Sequence, residues 1–204
     1  MRGVCAPRPL VPLSTDQMAQ RLTWWCDSAT WVRDCQTLVV SDFADSYLGG
    51  LRRHVGHALL LSPGVQIVLE RSDGRVLVQR RSDNGHWEIP AGACEPGQSF
   101  VAAAIAELAE ETGIRLGADE LEPFATLSDP VVHTLLYPNG DQVQAFALCF
   151  LARTSAVAPS SGDGEASEWR WASPASLPEP THAPTRTVLQ LLSAYRSSGH
   201  FQAE

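Results

Sequence analysis

The segment from Ser99 to Gly113 constrains the fold most, because its pattern predicts one amphipathic helix that carries three glutamates. Serine is a favoured residue before a helix and glycine a favoured residue after one, so both ends are defined. The apolar side of this helix consists of Phe100, Ala104, Ile105 and Leu108. At about 100° per residue, Glu107 and Glu111 lie one above the other with Glu110 beside them, at the edge of the apolar stripe.

Three carboxylates on one turn repel one another, and a position at the rim of the core shields them partly from water. Their pKa values should therefore rise unless a cation binds. The preceding segment GHWEIPAGACEPGQS contains three glycines, which allow backbone carbonyls to approach a ligand closely. Carboxylate and carbonyl oxygens suit Mg²⁺ or Mn²⁺. The alternative is a solvated acidic face, which is the commonest explanation for a glutamate-rich helix.

Length and composition narrow the class of protein. A chain of 204 residues fits one domain with extensions, and a formal net charge of -8 argues against a basic nucleic-acid-binding surface. No apolar run reaches the ~18 residues that span a membrane, and the first residues do not resemble a signal peptide. The five cysteines are scattered without a CxxC pair, which argues against disulfides and zinc. We predict a cytoplasmic protein that binds neither nucleic acid nor membranes.

The first part of the chain predicts helices and the rest alternates strands with helices. Residues 14–36 have apolar residues at helical spacing and three tryptophans, typical of a helix that packs on the body or on a partner chain. A second helix is predicted over residues 41–56, capped by Ser41 or Asp42 and ended by Gly56. Its predicted apolar stripe consists of Phe43, Tyr47, Leu51 and Val55.

From residue 64 the pattern predicts strands. GVQIVLE and VLVQRR form a predicted hairpin, and the Asn139-Gly140 pair predicts a second turn before a long strand. EWRWASP is a predicted last strand, followed by a closing helix whose buried face is Val188, Leu191, Leu192 and Tyr195. Mixed strands with helices indicate an α/β sandwich, with an N-terminal extension over residues 1–40 and one domain over residues 41–204.

The residues from Gly92 to Ile114 resemble the signature box of the Nudix hydrolases, which reads G, five residues, E, seven residues, then R-E-U-x-E-E-x-G-U with U a bulky aliphatic. The matching positions are Gly92, Glu107, Leu108, Glu110, Glu111, Gly113 and Ile114. The resemblance extends over about residues 47 to 195 through LRRHVG, WEIPAG, VLVQRRSD and YPNGDQVQ. It implies an α/β/α sandwich with a mixed central sheet, and the Pro-Ala-Gly variant is similar to that of ADP-ribose pyrophosphatases.

The resemblance also implies an activity and its metal ligands. Glu107 and Glu111 would hold Mg²⁺, or Mn²⁺, with Glu110 assisting and the Ala91 carbonyl as a backbone ligand. The reaction would be hydrolysis of the pyrophosphate bond in a nucleoside diphosphate linked to another group, such as a nucleotide sugar, an ADP-ribose-like compound or a nucleoside triphosphate.

Two positions depart from the box: Gln98 replaces a glutamate and Ala106 replaces an arginine that orients a neighbouring glutamate. Losing groups that orient metal ligands typically costs ~10- to 100-fold in metal affinity or activity. We therefore expect a weakened enzyme, and the alternative is a Nudix-fold nucleotide-binding module with little or no hydrolase activity.

Further site residues are candidates from their positions alone. Glu165, in the loop SGDGEAS, could be the general base or a solvated residue. Arg80 and Arg81 point to opposite faces of their strand, so only one of them can readily contact a phosphate. Asp141 and Gln144 could contact the leaving group or be ordinary hairpin residues. The tryptophan-containing N-terminal helix also predicts a homodimer.

Overall fold

The structure is a computed structural model that describes residues 43–137, 139–155, 159 and 164–204. The predicted N-terminal helix and the boundary after residue 40 lie outside the described residues, so these expectations stay predictions. No helix in the described ranges is long and apolar enough to cross a membrane.

The described residues form four α-helices and nine strands. The helices are α1 (Tyr47–Val55), α2 (Phe100–Thr112), α3 (Pro130–His133) and α4 (Ala183–Ser198). The strands are β1 (Leu60–Arg71), β2 (Val76–Arg81), β3 (Trp87–Glu88), β4 (Ala91–Ala93), β5 (Glu122–Leu127), β6 (Thr134–Leu136), β7 (Gln142–Thr154), β8 (Ala166–Ala172) and β9 (Gln202–Ala203).

These strands form one mixed sheet in the order β3-β2-β1-β7-β5-β9, with β4 paired to β1, β6 to β7 and β8 to β2. The long strands β1 and β7 run parallel over their whole length, from the pair Leu60 and Val143 to the pair Arg71 and Thr154. Strands β4 and β5 are antiparallel to their long neighbours. The predicted hairpin of β1 and β2 is present, and the predicted turn at Asn139-Gly140 joins β6 to the long strand β7.

Two hydrophobic clusters lie on opposite faces of the sheet. Alternate residues of β1 point to opposite faces: Ile67 belongs to the cluster that includes Leu108 of α2, and Val68 to the cluster that includes Val188 and Leu192 of α4. One helix thus covers each face, which confirms the predicted α/β/α sandwich with a mixed central sheet. The predicted buried face of α4 is also confirmed, with Leu191 and Tyr195 partly buried.

Helix α2 begins and ends where the sequence predicts. The Ser99 hydroxyl accepts a hydrogen bond from the Ala102 N–H at 3.1 Å, which satisfies a backbone donor that the first turn leaves free. Gly113 ends the helix with φ of 71°, in the left-handed conformation that glycine adopts without strain. These two residues fix which turn of α2 carries each glutamate.

The prediction for α1 is wrong in its start and in its buried face. The helix begins at Tyr47, because the Ser46 hydroxyl accepts from the Gly49 N–H at 3.0 Å, and a short 3₁₀ turn precedes it. Phe43, Tyr47 and Val55 of the predicted stripe are exposed. The buried residue is Gly49, since a Cβ there would overlap the Phe43 carbonyl oxygen. The helix is held by polar contacts that apolar periodicity does not reveal.

Candidate active site

Two glycines allow close approaches around strand β4, at the start of the box. A Cβ on Gly92 would lie 1.9 Å from the Glu107 carboxyl carbon, so this carboxyl group rests directly against the backbone of β4. A Cβ on Gly64 of β1 would lie 2.6 Å from the Gly92 carbonyl oxygen, so β4 can approach β1 only because residue 64 is also glycine. Backbone and carboxylate oxygens are thereby brought together at one place.

Glu111 is the most buried carboxylate of this helix, with 4% of its surface exposed. Its Oε1 accepts a hydrogen bond from Gln79 Nε2 at 2.7 Å, and its Oε2 accepts one from the Ala91 N–H at 3.2 Å. Burial, and then the charge of Glu107, raise the pKa of Glu111 well above its ordinary value, while the bond from Gln79 lowers it. A bound cation would relieve both unfavourable effects.

A second buried carboxylate, Glu88 of β3, lies near Glu111 and was not predicted. Burial raises its pKa, and its charge contributes to the raised pKa of Glu111. Arg81 Nη1 donates to Glu88 Oε1 at 3.1 Å, and Arg81 Nε also donates to Asp83 Oδ1 at 2.8 Å. The sequence signal that could have identified Glu88 is a single acid between the apolar residues Trp87 and Ile89.

The oxygen donors at this place fit a hard divalent cation. Glu107 and Glu111 supply carboxylate oxygens, Glu110 lies partly buried on the same helix, and Ala91 lies beside them on β4. Within the described residues, no three side chains among His, Cys, Asp and Glu are arranged as a ready-made metal site. The predicted ligand set therefore stays a prediction, which the buried like-charged carboxylates support.

Gln98, which departs from the box, braces the loop before α2. Its Oε1 accepts from the Glu95 N–H at 2.9 Å, and its own N–H donates to the Glu95 carbonyl oxygen at 3.0 Å. The Glu95 carboxylate in turn accepts from the Tyr47 N–H at 3.0 Å, at the first turn of α1, where a negative charge is favourable. Residue 98 thus ties the loop to α1 through Glu95.

The two arginines at the end of β2 have different surroundings, as their alternation predicts. Arg81 is half-buried beside Glu88. Glu88 forms an acidic cluster with Glu107 and Glu111. Arg80 is exposed, and its Nε donates to the Gly85 carbonyl oxygen at 3.2 Å. The structure therefore brings Arg81, and not Arg80, to the candidate site.

The other predicted residues lie in three different places. The Glu165 carbonyl oxygen accepts from the Ser82 N–H at 2.8 Å, so this exposed residue lies next to the end of β2.

Asp141 Oδ1 lies 2.8 Å from His57 Nδ1 and 3.5 Å from Arg52 Nε. The hydrogen bond with His57 is the largest of the effects that lower the pKa of Asp141. Asp141 thus joins α1 to the β6–β7 turn.

Gln144 lies partly buried in β7, opposite Leu61 of β1 and Thr134 of β6. Contacts of Asp141 and Gln144 with a leaving group stay predictions.

Histidine 182 is a further residue that the sequence did not single out. Its Nδ1 lies 3.5 Å from Glu88 Oε2, and burial, followed by the charge of Arg81, lowers its pKa. Its backbone N–H donates to the Trp87 carbonyl oxygen at 2.8 Å, which fixes the start of α4 against β3. His182 thus borders the acidic cluster from the α4 side.

Comparison with known proteins agrees with this geometry. Residues 60–192 match the family model of the NUDIX domain. A MutT-like protein of Streptomyces ambofaciens is 47% identical over 62 residues, which is 30% of this chain and 40% of that relative's length. An RNA pyrophosphohydrolase of Novosphingobium aromaticivorans is 31% identical over 129 residues, covering 57% of this chain and 80% of that protein.

The fold is shared with solved structures at lower identity. The crystal structure of a MutT NUDIX hydrolase from Burkholderia pseudomallei superposes with a TM-score of 0.54 at 22% identity, over 65% of this chain and 98% of that one. Residues 60–192, which match the family model, contain the glutamate helix α2, the strand β4 with Gly92, and the long strands β1 and β7. The chain therefore belongs to the Nudix family, which confirms the family and the hydrolase that the sequence predicts.

Proposed function

We propose that the protein hydrolyses the pyrophosphate bond of a nucleoside diphosphate linked to another group, with Mg²⁺ or Mn²⁺ as cofactor. One observation carries this proposal: the ionisable, buried Glu111 lies on the same helix edge as Glu107, against the glycine strand β4. Burial of like-charged carboxylates is costly without a cation. The RNA pyrophosphohydrolase among the relatives supports the same class of bond.

When bound, the divalent cation neutralises the pyrophosphate charge and lowers the pKa of a water molecule. Glu107 and Glu111 would hold it together with the Ala91 carbonyl, and Glu110 would complete the negative charge. Gly92 keeps the Glu107 carboxyl group against β4, and the Ala91 N–H orients Glu111. The chain thereby supplies an acidic site that an anionic substrate can enter only with its cation, which suits a protein of net charge -8.

The other residues bind substrate and move a proton. Arg81, held by Glu88 and Asp83, donates hydrogen bonds to a phosphate oxygen. Glu165 accepts the proton of the attacking water as the new P–O bond forms and the bridging P–O bond breaks. Asp141 holds the turn between β6 and β7, and Gln144 lies close to this turn in β7. The predicted cytoplasmic location and homodimer stay predictions alongside this proposal.

A second candidate is a nucleotide-binding module with little hydrolase activity. It is favoured by Gln98, whose side chain is engaged in the loop hydrogen bond from Glu95, and by Ala106, which cannot orient a glutamate. Both candidates use the same fold, so only turnover distinguishes them.

The test is a panel of substrates incubated with Mg²⁺ or Mn²⁺: ADP-ribose, UDP-sugars, nucleoside triphosphates, dinucleoside polyphosphates and 5′-triphosphorylated RNA. Released phosphate and nucleotide products are followed by chromatography for the wild type, Glu111→Gln and a control, Asp119→Asn, on an exposed turn. The proposal predicts turnover that requires the cation, disappears in Glu111→Gln and persists in Asp119→Asn. Tight nucleotide binding without any turnover would support the binding module.

A further inference from the structure

Gln79, in the strand segment VLVQRR, is a buried polar side chain beside the glutamates. Only 2% of its surface is exposed, and it follows three buried apolar residues, Val76, Leu77 and Val78. Its Nε2 donates to Glu111 Oε1 at 2.7 Å. Its Oε1 is buried without a hydrogen-bond partner in the described part of the chain. A buried amide with one unsatisfied atom lowers stability, so packing does not account for a glutamine here.

The neighbouring strands hold Gln79 in place from both sides. Its Cα is paired with that of Glu88 on β3 and with that of Trp169 on β8. A residue in the middle of three paired strands has a fixed backbone, and burial leaves its side chain few rotamers. The Nε2 donor is therefore presented to α2 from a rigid part of the sheet.

Both oxygens of Glu111 are fixed by donors that lie outside its own helix. Oε1 accepts from Gln79 on β2, and Oε2 accepts from the Ala91 N–H on β4. Two donors from two strands set the plane of the carboxylate, and each oxygen keeps a lone pair for a further partner. A neutral amide does this without placing a positive charge that would compete with a cation.

This arrangement bears on the departure at position 106. The alanine side chain has no hydrogen-bond donor, so residue 106 of α2 cannot orient a glutamate as the arginine of the box does. We infer that Gln79 is the positioning residue for Glu111 and replaces, from strand β2, the orienting group that Ala106 lacks. This inference rests on the proposed function, because it assigns Gln79 a purpose in a cation site.

The test uses Gln79→Met, which keeps the length of the side chain and removes both donors. Val78→Ala is the matched control, since it weakens the same strand on the opposite face without touching Glu111. Mn²⁺ affinity is measured by calorimetry without nucleotide, and kcat and KM are measured on the substrate found in the panel. We expect Gln79→Met to weaken Mn²⁺ binding by ~10- to 100-fold and to lower kcat more than it changes KM.

Val78→Ala should lower thermal stability and leave Mn²⁺ affinity unchanged. Equal Mn²⁺ affinity in Gln79→Met and the wild type, with both folded, would overturn the inference. Adding Ala106→Arg provides a second readout: it should raise Mn²⁺ affinity more in the Gln79→Met background than in the wild type. Equal effects in both backgrounds would show independent roles and would contradict the replacement.

A readout without metal separates this inference from the proposed function. In crystals grown with chelator, Gln79→Met should show the Glu111 carboxylate moved away from the Ala91 N–H, while the wild type retains that bond. An unmoved carboxylate overturns the positioning role. A wild type that neither binds Mn²⁺ nor hydrolyses any nucleotide instead overturns the proposed function, whatever the carboxylate does.

Discussion

Replacing Gly92 by alanine should lower the rate of hydrolysis strongly while leaving the fold nearly intact. The backbone of Gly92 is not in the left-handed region, so alanine is compatible with it. The new Cβ would lie 1.9 Å from the Glu107 carboxyl carbon, whereas real Cβ contacts stay beyond 3.0 Å. The carboxyl group must therefore retreat by roughly 1 Å, a displacement that can cost about 100-fold in rate. Because that group ends a flexible side chain, the free energy of unfolding should fall by only ~1 kcal/mol.

Gly64→Ala is the matched comparison, because its Cβ would meet backbone instead of a side chain. The Gly92 carbonyl oxygen lies 2.6 Å from that Cβ and belongs to a paired strand that cannot move alone. This substitution should lower the free energy of unfolding by ~1–3 kcal/mol. Denaturant unfolding gives the stabilities, and nucleotide hydrolysis with Mg²⁺ gives kcat/KM. Wild-type kcat/KM in Gly92→Ala, or a loss that merely follows unfolding, would refute the packing argument.

Four further substitutions test other parts of the account. Arg81→Ala should raise KM by ~10-fold through loss of a charged donor to phosphate, while Arg80→Ala should leave KM unchanged in steady-state kinetics. Asp141→Asn should lower Tm at pH 7, because the bond to His57 lowers the Asp141 pKa from its ordinary 3.8 and thus stabilises the fold above that pH. This Tm difference should shrink as the pH falls through the folded pKa, and a constant difference would argue against it. Ala106→Arg should raise activity or Mn²⁺ affinity in a titration, and a lower value would contradict the interpretation of that departure.

Local signals made most of the fold predictable. The hydroxyl of Ser99 and the left-handed Gly113 fix the glutamate helix, and the Asn139-Gly140 pair fixes the β6–β7 turn. The short strands β3, β4 and β9 were not predicted, because two or three residues carry no detectable alternation. The stripe of α1 was misassigned because Arg52 holds that helix, donating to the carbonyl oxygens of Gly56, Ala58 and Gln142.

The site residues on the glutamate helix could be predicted from the sequence, whereas those contributed by the strands could not. Glu107, Glu110 and Glu111 follow from their spacing within one helix, so their proximity to one another needs no tertiary information. Gln79 and Glu88 come from two strands whose pairing brings them together beside Glu111. Sequence separation conceals that pairing, although a lone polar residue in an apolar strand is a usable warning sign.

Titration of Mn²⁺ into the protein without nucleotide, followed by electron paramagnetic resonance, tests the central claim most directly. The account predicts saturable binding in the wild type, strongly weakened in both Glu107→Gln and Glu111→Gln, with thermal unfolding showing that each variant is folded. Absence of binding in the wild type, or equal binding in all three proteins, would contradict a cation site between strand β4 and the glutamate helix.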